Sequence, residues 1–173
     1  MSAKVQLLQL GVPERLVEKT GALIGKGTEG VIYALSEHRI LKVNLTAPRT
    51  QSIAAVAKRA NKSKWSAHIY EYGRCEPRGF WYTSERLYKV PERARVLLNV
   101  IGLSYVAWKR GRMTKAEHDE RVKGAIERMP PQLQSIVKSA RKAGYVDVHG
   151  ANVMITKDGI YKFIDPESIS RVV

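Results

Sequence analysis

The chain has 173 residues, enough for one domain with a buried core or for two small lobes sharing a hinge. Its 44% apolar and 27% charged content excludes a disordered chain, and no run approaches the ~18 apolar residues that span a membrane. Thirty Lys and Arg against 16 Asp and Glu leave a net charge of +14, a field that attracts nucleic acid, acidic proteins and polyphosphates alike.

The opening MSAKVQLLQLGVPER has no basic segment followed by a long apolar run. No secretory signal is expected, and the cytoplasm is the expected location. Around Pro13, VPERLVEK suits a short helix with proline in its first turn. GALIGKGTEGVIYALSEHRILKVN then carries apolar, β-branched pieces at 22–24, 31–35 and 39–43. Glycines and a polar Ser36-Glu37-His38 corner separate them, which predicts three short antiparallel strands.

Residues 50–60 (TQSIAAVAKRA) space Ile53, Val56, Ala57 and Ala60 as one helical face. AHIYEYGRC and GFWYTSERLYKV alternate polar and apolar residues on either side of Pro77-Arg78-Gly79, a predicted hairpin over 67–90. Cys75 is the single cysteine, so no intramolecular disulfide or cysteine-cluster metal site is expected. From Pro91 the spacing is helical: 91–108, then 114–128 opened by Thr114 and Glu117 as a capping-box pair, then 131–143 closed by Gly144. The stretch YVDVHGANVMITKDGIYKFIDPES, 145–168, returns to strands, with Asp158-Gly159 as a tight hairpin turn. This order predicts an α+β fold with two segregated lobes joined near Leu87 to Pro91. Much of the basic charge falls between Arg93 and Lys142, either as a solvated face or as a polyanion-binding surface.

GKGTEGVI places Gly25, Gly27 and Gly30 between two predicted strands. Glycines there let backbone N–H groups approach phosphate oxygens. A dinucleotide fingerprint needs a helix after the third glycine, and a Walker loop needs Gly-Lys-Ser/Thr; Val31-Ile32-Tyr33 satisfies neither. A glycine-rich hairpin over a nucleotide remains, beside a purely structural hairpin. Lys42, in RILKVN, shares a strand face with Ile40. An inward lysine is costly unless it meets an anion such as a nucleotide phosphate, whereas a lysine on an exposed strand edge needs no partner.

Asp147 and Asn152 are five apart, and Asp165 follows thirteen later across the 158–159 turn. The loop and the end of the second hairpin strand should return to one edge. Asn152 and Asp165 would then share one hard cation such as Mg²⁺, leaving Asp147 to orient an attacking hydroxyl and accept its proton.

This set resembles the protein kinase superfamily: glycine loop 25–30, strand lysine Lys42, hinge-like SERL at 84–87, catalytic Asp147, and metal-binding Asn152 and Asp165. DVHGANVMI…FIDPES looks closest to the early-expressed serine/threonine protein kinases of small podoviruses (autographiviruses). IDPE is also similar to the ending in aminoglycoside and choline kinases. The resemblance covers roughly 20–90 and 130–168. It implies a two-lobed kinase-like fold, with a β-rich N-lobe over 1–88 and a reduced, mostly helical C-lobe over 89–173. It further implies ATP and Mg²⁺ as cofactors, backbone contacts to adenine from Glu85 and Leu87, and Ser84 at the gatekeeper point. His149 stands where protein-serine kinases carry a lysine directed at the γ-phosphate; the alternative is a hydrogen bond that braces the loop.

The chain departs from the family in three places. No Asp or Glu occurs between Glu37 and Glu71, so the helix at 50–60 lacks the glutamate that pairs with the strand lysine, and Gln51 cannot ion-pair. Tyr145-Val146 replaces His-Arg before Asp147, so control by a phosphorylated activation loop is not expected. Eight residues follow Asp165, so a peptide platform is expected from 91–130, from a partner or from the basic surface. The resulting expectation is a phage-type Mg-ATP-dependent protein serine/threonine kinase that modifies host proteins and itself. The alternative is a pseudokinase scaffold that binds a host protein such as RNA polymerase, or nucleic acid, through its basic face. An aminoglycoside-type kinase ranks last, because a cationic substrate favours an acid-rich pocket.

Overall fold

The computed structural model describes residues 2–27, 30–46, 52–142 and 148–164. The fold is α+β, and the chain divides into two compact units, Met1–Arg86 and Leu87–Val173.

The first unit opens with α1 (Ala3–Gln9), which has no counterpart among the predicted elements. The Ser2 side chain caps it by accepting the Val5 N–H at 3.4 Å. Helix α2 (Glu14–Glu18) follows Pro13, which stands at the cap position, just outside the first turn. Strands β1 (Leu23–Lys26), β2 (Gly30–Ala34), β3 (Arg39–Asn44), β4 (Ile69–Arg74) and β5 (Phe80–Glu85) form an antiparallel sheet in the order β1-β2-β3-β5-β4. Helix α3 (Ile53–Lys62) falls between β3 and β4 in sequence.

The two faces of the sheet carry separate cores. Leu41 and Val43 join Leu7, Val12, Leu16, Val17, Cys75 and Trp81 on the face covered by α1 and α2. On the other face α3 lays Ile53, Val56, Ala57 and Ala60 against Ile69, Phe80 and Tyr82. Leu41, Val43 and Val56 are fully buried, and each contributes roughly 1.5–3 kcal/mol of transfer free energy. One polar contact adds to this packing. The Asn61 Nδ2 donates to the Ile69 carbonyl, and the Asn61 Oδ1 accepts the Ile69 N–H, both at 2.8 Å.

The predicted 79–90 strand is cut at Glu85. There the Ser84 hydroxyl (2.7 Å) and the Glu85 N–H (3.2 Å) both donate to the His68 carbonyl, and the Arg86 N–H donates to the His38 carbonyl at 2.9 Å. The chain then enters the second unit, where Tyr88–Lys89 forms a separate strand, β6.

The second unit continues with α4 (Glu92–Lys109), α5 (Lys115–Glu127) and α6 (Pro131–Lys142), then β7 (Val153–Ile155) and β8 (Tyr161–Phe163). β6, β7 and β8 make a three-stranded antiparallel sheet in that order. The predicted capping box is present: Thr114 Oγ1 accepts the Glu117 N–H at 3.2 Å, and Glu117 Oε2 accepts the Thr114 N–H at 2.8 Å. The Thr114 N–H, and after it the Thr114 hydroxyl, which also donates to Oε2 at 2.8 Å, hold the Glu117 pKa below its usual value.

The helices bury His118 together with Leu98, Ile101, Leu133 and Val137. Ser104 donates its hydroxyl proton to the Ile101 carbonyl at 2.9 Å, so its oxygen accepts from His118 Nδ1 at 3.1 Å. The imidazole stacks on Trp108 with centroids 5.2 Å apart. The turn between β7 and β8 is one residue longer than a two-residue hairpin. Thr156 pairs with Ile160, and Gly159 closes the three-residue loop at φ +83°, the left-handed position that this loop type reserves for glycine. Gly144, the predicted cap, lies outside the described residues. Among the described residues no helix is long and apolar enough to cross a membrane.

Candidate active site

In the first unit the predicted glycine turn joins β1 to β2, and the Gly27 N–H donates to the Gly30 carbonyl at 3.0 Å. The three glycines are not equivalent. A Cβ on Gly30 would stand 1.9 Å from the Val43 carbonyl oxygen, so the approach of β3 alone requires glycine there. A Cβ on Gly25 would lie 3.4 Å from Ile32 Cδ1, and one on Gly27 would meet nothing within 4 Å. Gly30 is thus the glycine that the sheet demands, and Gly27 is the one with most open space around it.

Lys42 lies on β3, between β2 and β5, so the exposed-edge reading of this lysine is corrected. It is half-buried, pairs with Ile32 on one side and Tyr82 on the other, and shares a face with Ile40 as the alternation predicts. Its Nζ stands 5.6 Å from the centroid of the Tyr82 ring, a cation–π distance. Helix α3, with sequence IAAVAKRANK, carries no acid on the side of the sheet that Lys42 faces. Gln51 lies outside the described residues. Glu85 ends β5 with its N–H committed to His68, and the half-buried Leu87 opens the second unit.

In the second unit His149 and Asn152 share one turn, with the Asn152 N–H donating to the His149 carbonyl at 3.0 Å. The Ala151 N–H donates to His149 Nδ1 at 3.2 Å. The loop-bracing bond expected as one alternative therefore exists, and it assigns the proton of the neutral ring to Nε2. The Ile164 N–H donates to the Asn152 carbonyl at 3.1 Å, so the hairpin brings the residue before Asp165 back beside Asn152. Asp147 and Asp165 themselves lie outside the described residues. Among the described residues no three His, Cys, Asp or Glu cluster as a metal site.

Helix α4 supports this loop through residues the sequence reading did not single out. Asn99 Oδ1 accepts the Gly150 N–H at 2.9 Å. A Cβ on Gly150 would stand 2.6 Å from Arg95 Cγ, and one on Gly102 would stand 2.8 Å from His149 Cβ. Two missing side chains therefore let the loop lie directly on the helix. Gly102 was the available signal, since glycine inside a helix costs about 1 kcal/mol relative to alanine and needs a packing reason.

No model of a known protein family matches the chain, and no curated protein shows significant similarity to it.

Proposed function

We propose that the chain is a Mg-ATP-dependent phosphotransferase of the protein-kinase type, acting on serine or threonine hydroxyls of host proteins as a phage-type enzyme. The observation that supports this most is Lys42, a half-buried cation on the third strand of the sheet, one strand beyond a glycine turn whose Gly27 the packing does not require. The residues fit the cofactor. An inward ammonium suits nucleotide phosphates, and an amide oxygen with one carboxylate suits Mg²⁺, which keeps waters and phosphate oxygens for its remaining positions. Three or more clustered acids are therefore not required.

When bound, Mg-ATP supplies the γ-phosphoryl group. Lys42 would hold the α- and β-phosphates beneath Gly25, Gly27 and Gly30. The Glu85 carbonyl and the Leu87 amide would meet adenine, because the Glu85 N–H is already engaged by His68. Asn152 and Asp165 would hold the metal, Asp147 would orient the substrate hydroxyl and take its proton, and His149 Nε2 would donate toward the γ-phosphate.

Transfer of radiolabel from ATP to the protein itself or to a host lysate is the direct test. Transfer abolished by Asp147→Ala and by Asp165→Ala is the expected result, and undiminished transfer in either variant refutes these site assignments. A thermal shift with ATP that requires Mg²⁺ would support a working site.

The acid-free α3 favours a second reading, a pseudokinase that binds a host protein such as RNA polymerase, or nucleic acid, through its basic surface. That reading predicts complex formation that survives Asp147→Ala and no phosphate transfer.

A further inference from the structure

We propose that the outer face of α4 docks an acidic, amphipathic helical segment of the protein substrate, which deepens the phosphotransfer reading and rests on it for the word substrate. Val96, Leu103 and Val106 are 50%, 71% and 43% exposed. Seven and three positions apart, they stand on one side of an 18-residue helix, with half-buried Val100 between them. The helix buries Ala94, Leu97, Leu98, Ile101 and Ser104 on its opposite side, so folding does not need this second apolar stripe. Exposed valines are also poorer helix formers than alanine, lysine or glutamate, so local helix stability does not explain them.

Charge selects the occupant. Between Arg93 and Ala116 the sequence has no acid, and six cations: Arg93, Arg95, Lys109, Arg110, Arg112 and Lys115. Of the acids just outside this span, Glu92 is paired with Arg95 and Glu117 caps its helix at Thr114, while Asp119 lies 3.9 Å from Lys115, so Arg93, Lys109, Arg110 and Arg112 carry the charge. A second copy of the chain would bring +14 against +14, with cations at both ends of each α4, and like charges oppose that contact. An acidic segment with apolar residues at helical spacing satisfies both the stripe and its flanks.

Position gives the contact its use. The neighbouring flank of α4, at Asn99 and Gly102, carries the loop that holds His149 and Asn152. A helix seated on Leu103 would lie beside that loop, and its flanking serines or threonines would be delivered at high effective concentration.

The probe is a fluorescein-labelled synthetic 18-residue peptide with leucines along one helical face and glutamates beside them, paired with a scrambled peptide of equal composition. Anisotropy is read without ATP, against wild type and Leu103→Glu, with Val96→Glu as a second variant at an exposed site and circular dichroism as the check on folding. The patterned peptide should bind at least about tenfold tighter than the scrambled one, and either substitution should weaken it about tenfold or more. Equal affinity for the two peptides, or binding untouched by both substitutions, overturns the proposal. So does a wild-type dimer that Leu103→Glu dissociates in sedimentation, or Leu103-dependent binding to phosphatidylglycerol vesicles in place of the peptide. Because ATP is absent, these results are independent of phosphate transfer. Label transfer without peptide binding removes the docking surface alone, and peptide binding without transfer removes the kinase reading alone.

Discussion

Asn99 and Gly150 lie 51 positions apart in sequence and share one hydrogen bond, in which the Asn99 Oδ1 accepts the Gly150 N–H at 2.9 Å. That bond fixes the middle of the loop bearing His149 and Asn152 to a long helix. Asn99 is exposed, so its removal should leave the fold nearly unchanged while the loop loses its register. Asn99→Ala is expected to lower phosphate transfer about tenfold or more, with ATP affinity unchanged, as small misplacements of catalytic groups do. Asn99→Asp keeps the acceptor and should restore most of the rate. Steady-state kinetics on the two variants, beside their melting curves, check this.

Gly30 and Gly27 should respond in opposite ways to the same substitution. Gly30→Ala drives a methyl group into the Val43 carbonyl, and overpacking of this kind costs roughly 1–3 kcal/mol. Gly27→Ala meets nothing within 4 Å and should alter stability by less than about 0.5 kcal/mol. If Gly27 serves a nucleotide, its alanine variant should show a smaller thermal shift with Mg-ATP than wild type. Melting curves with and without nucleotide separate the structural glycine from the ligand glycine.

Cys75 is a reporter for the first unit. It sits in the core with Leu41 and Trp81, and burial pushes its thiol pKa up to about 11. Iodoacetamide at pH 8 should label the native protein slower than the urea-unfolded chain by a factor on the order of 10³ or more, because modification must wait for opening. Fast labelling of the native protein would contradict the burial of this residue.

Two titrations should weaken the fold in separate pH windows. Burial first, then the positive charge of Arg141, lowers the pKa of His118 from 6.5, against the opposing Asp119 and Ser104. Below about pH 6.5 the unfolded chain therefore binds a proton that the folded chain resists, and stability falls as pH drops until the folded pKa is passed. Glu71 acts lower on the scale. Its hydrogen bond to Arg15 depresses its pKa from 4.5, so its contribution is complete above that value and is lost as pH falls through the folded pKa. His118→Phe, which keeps an aromatic ring over Trp108, should flatten the upper window in urea titrations between pH 7 and 5. Arg15→Ala should flatten the lower one.

What the sequence revealed and what it hid have local and non-local causes. Strands β1 to β3, helices α3 to α6 and the Thr114–Glu117 box follow rules that act within a few residues, and they were legible. So was the face of Lys42, because alternation needs no partner. Helix α1 was not legible: seven residues hold less than two heptads of pattern, and its buried Leu7 is chosen by β3 rather than by its neighbours. The break after Glu85 was hidden because strand-forming residues stand on both sides of it, Phe80 to Thr83 and Leu87 to Val90, with no glycine or proline between them to mark where the chain changes sheets. Asn99 looked like any polar helix residue, since its partner is brought to it only by the fold. Asp147 and Asp165 remain statements of spacing, joined to the described structure through Asn152 and Ile164.

The bond pair between Asn61 and Ile69 has a consequence for the protein's behaviour in crowded solution. β4 is a border strand, and an open border offers its amides and carbonyls as a template on which another chain can zip. At Ile69 a carboxamide from α3 already occupies both groups, imitating the strand that would otherwise be recruited. Asn61→Ala should uncover that template as well as leave two backbone groups unmatched, a loss of roughly 1–3 kcal/mol. Light scattering on concentrated protein well below its melting temperature should then rise with time in the variant and stay flat in the wild type. One side chain thus closes the border of β4 at Ile69.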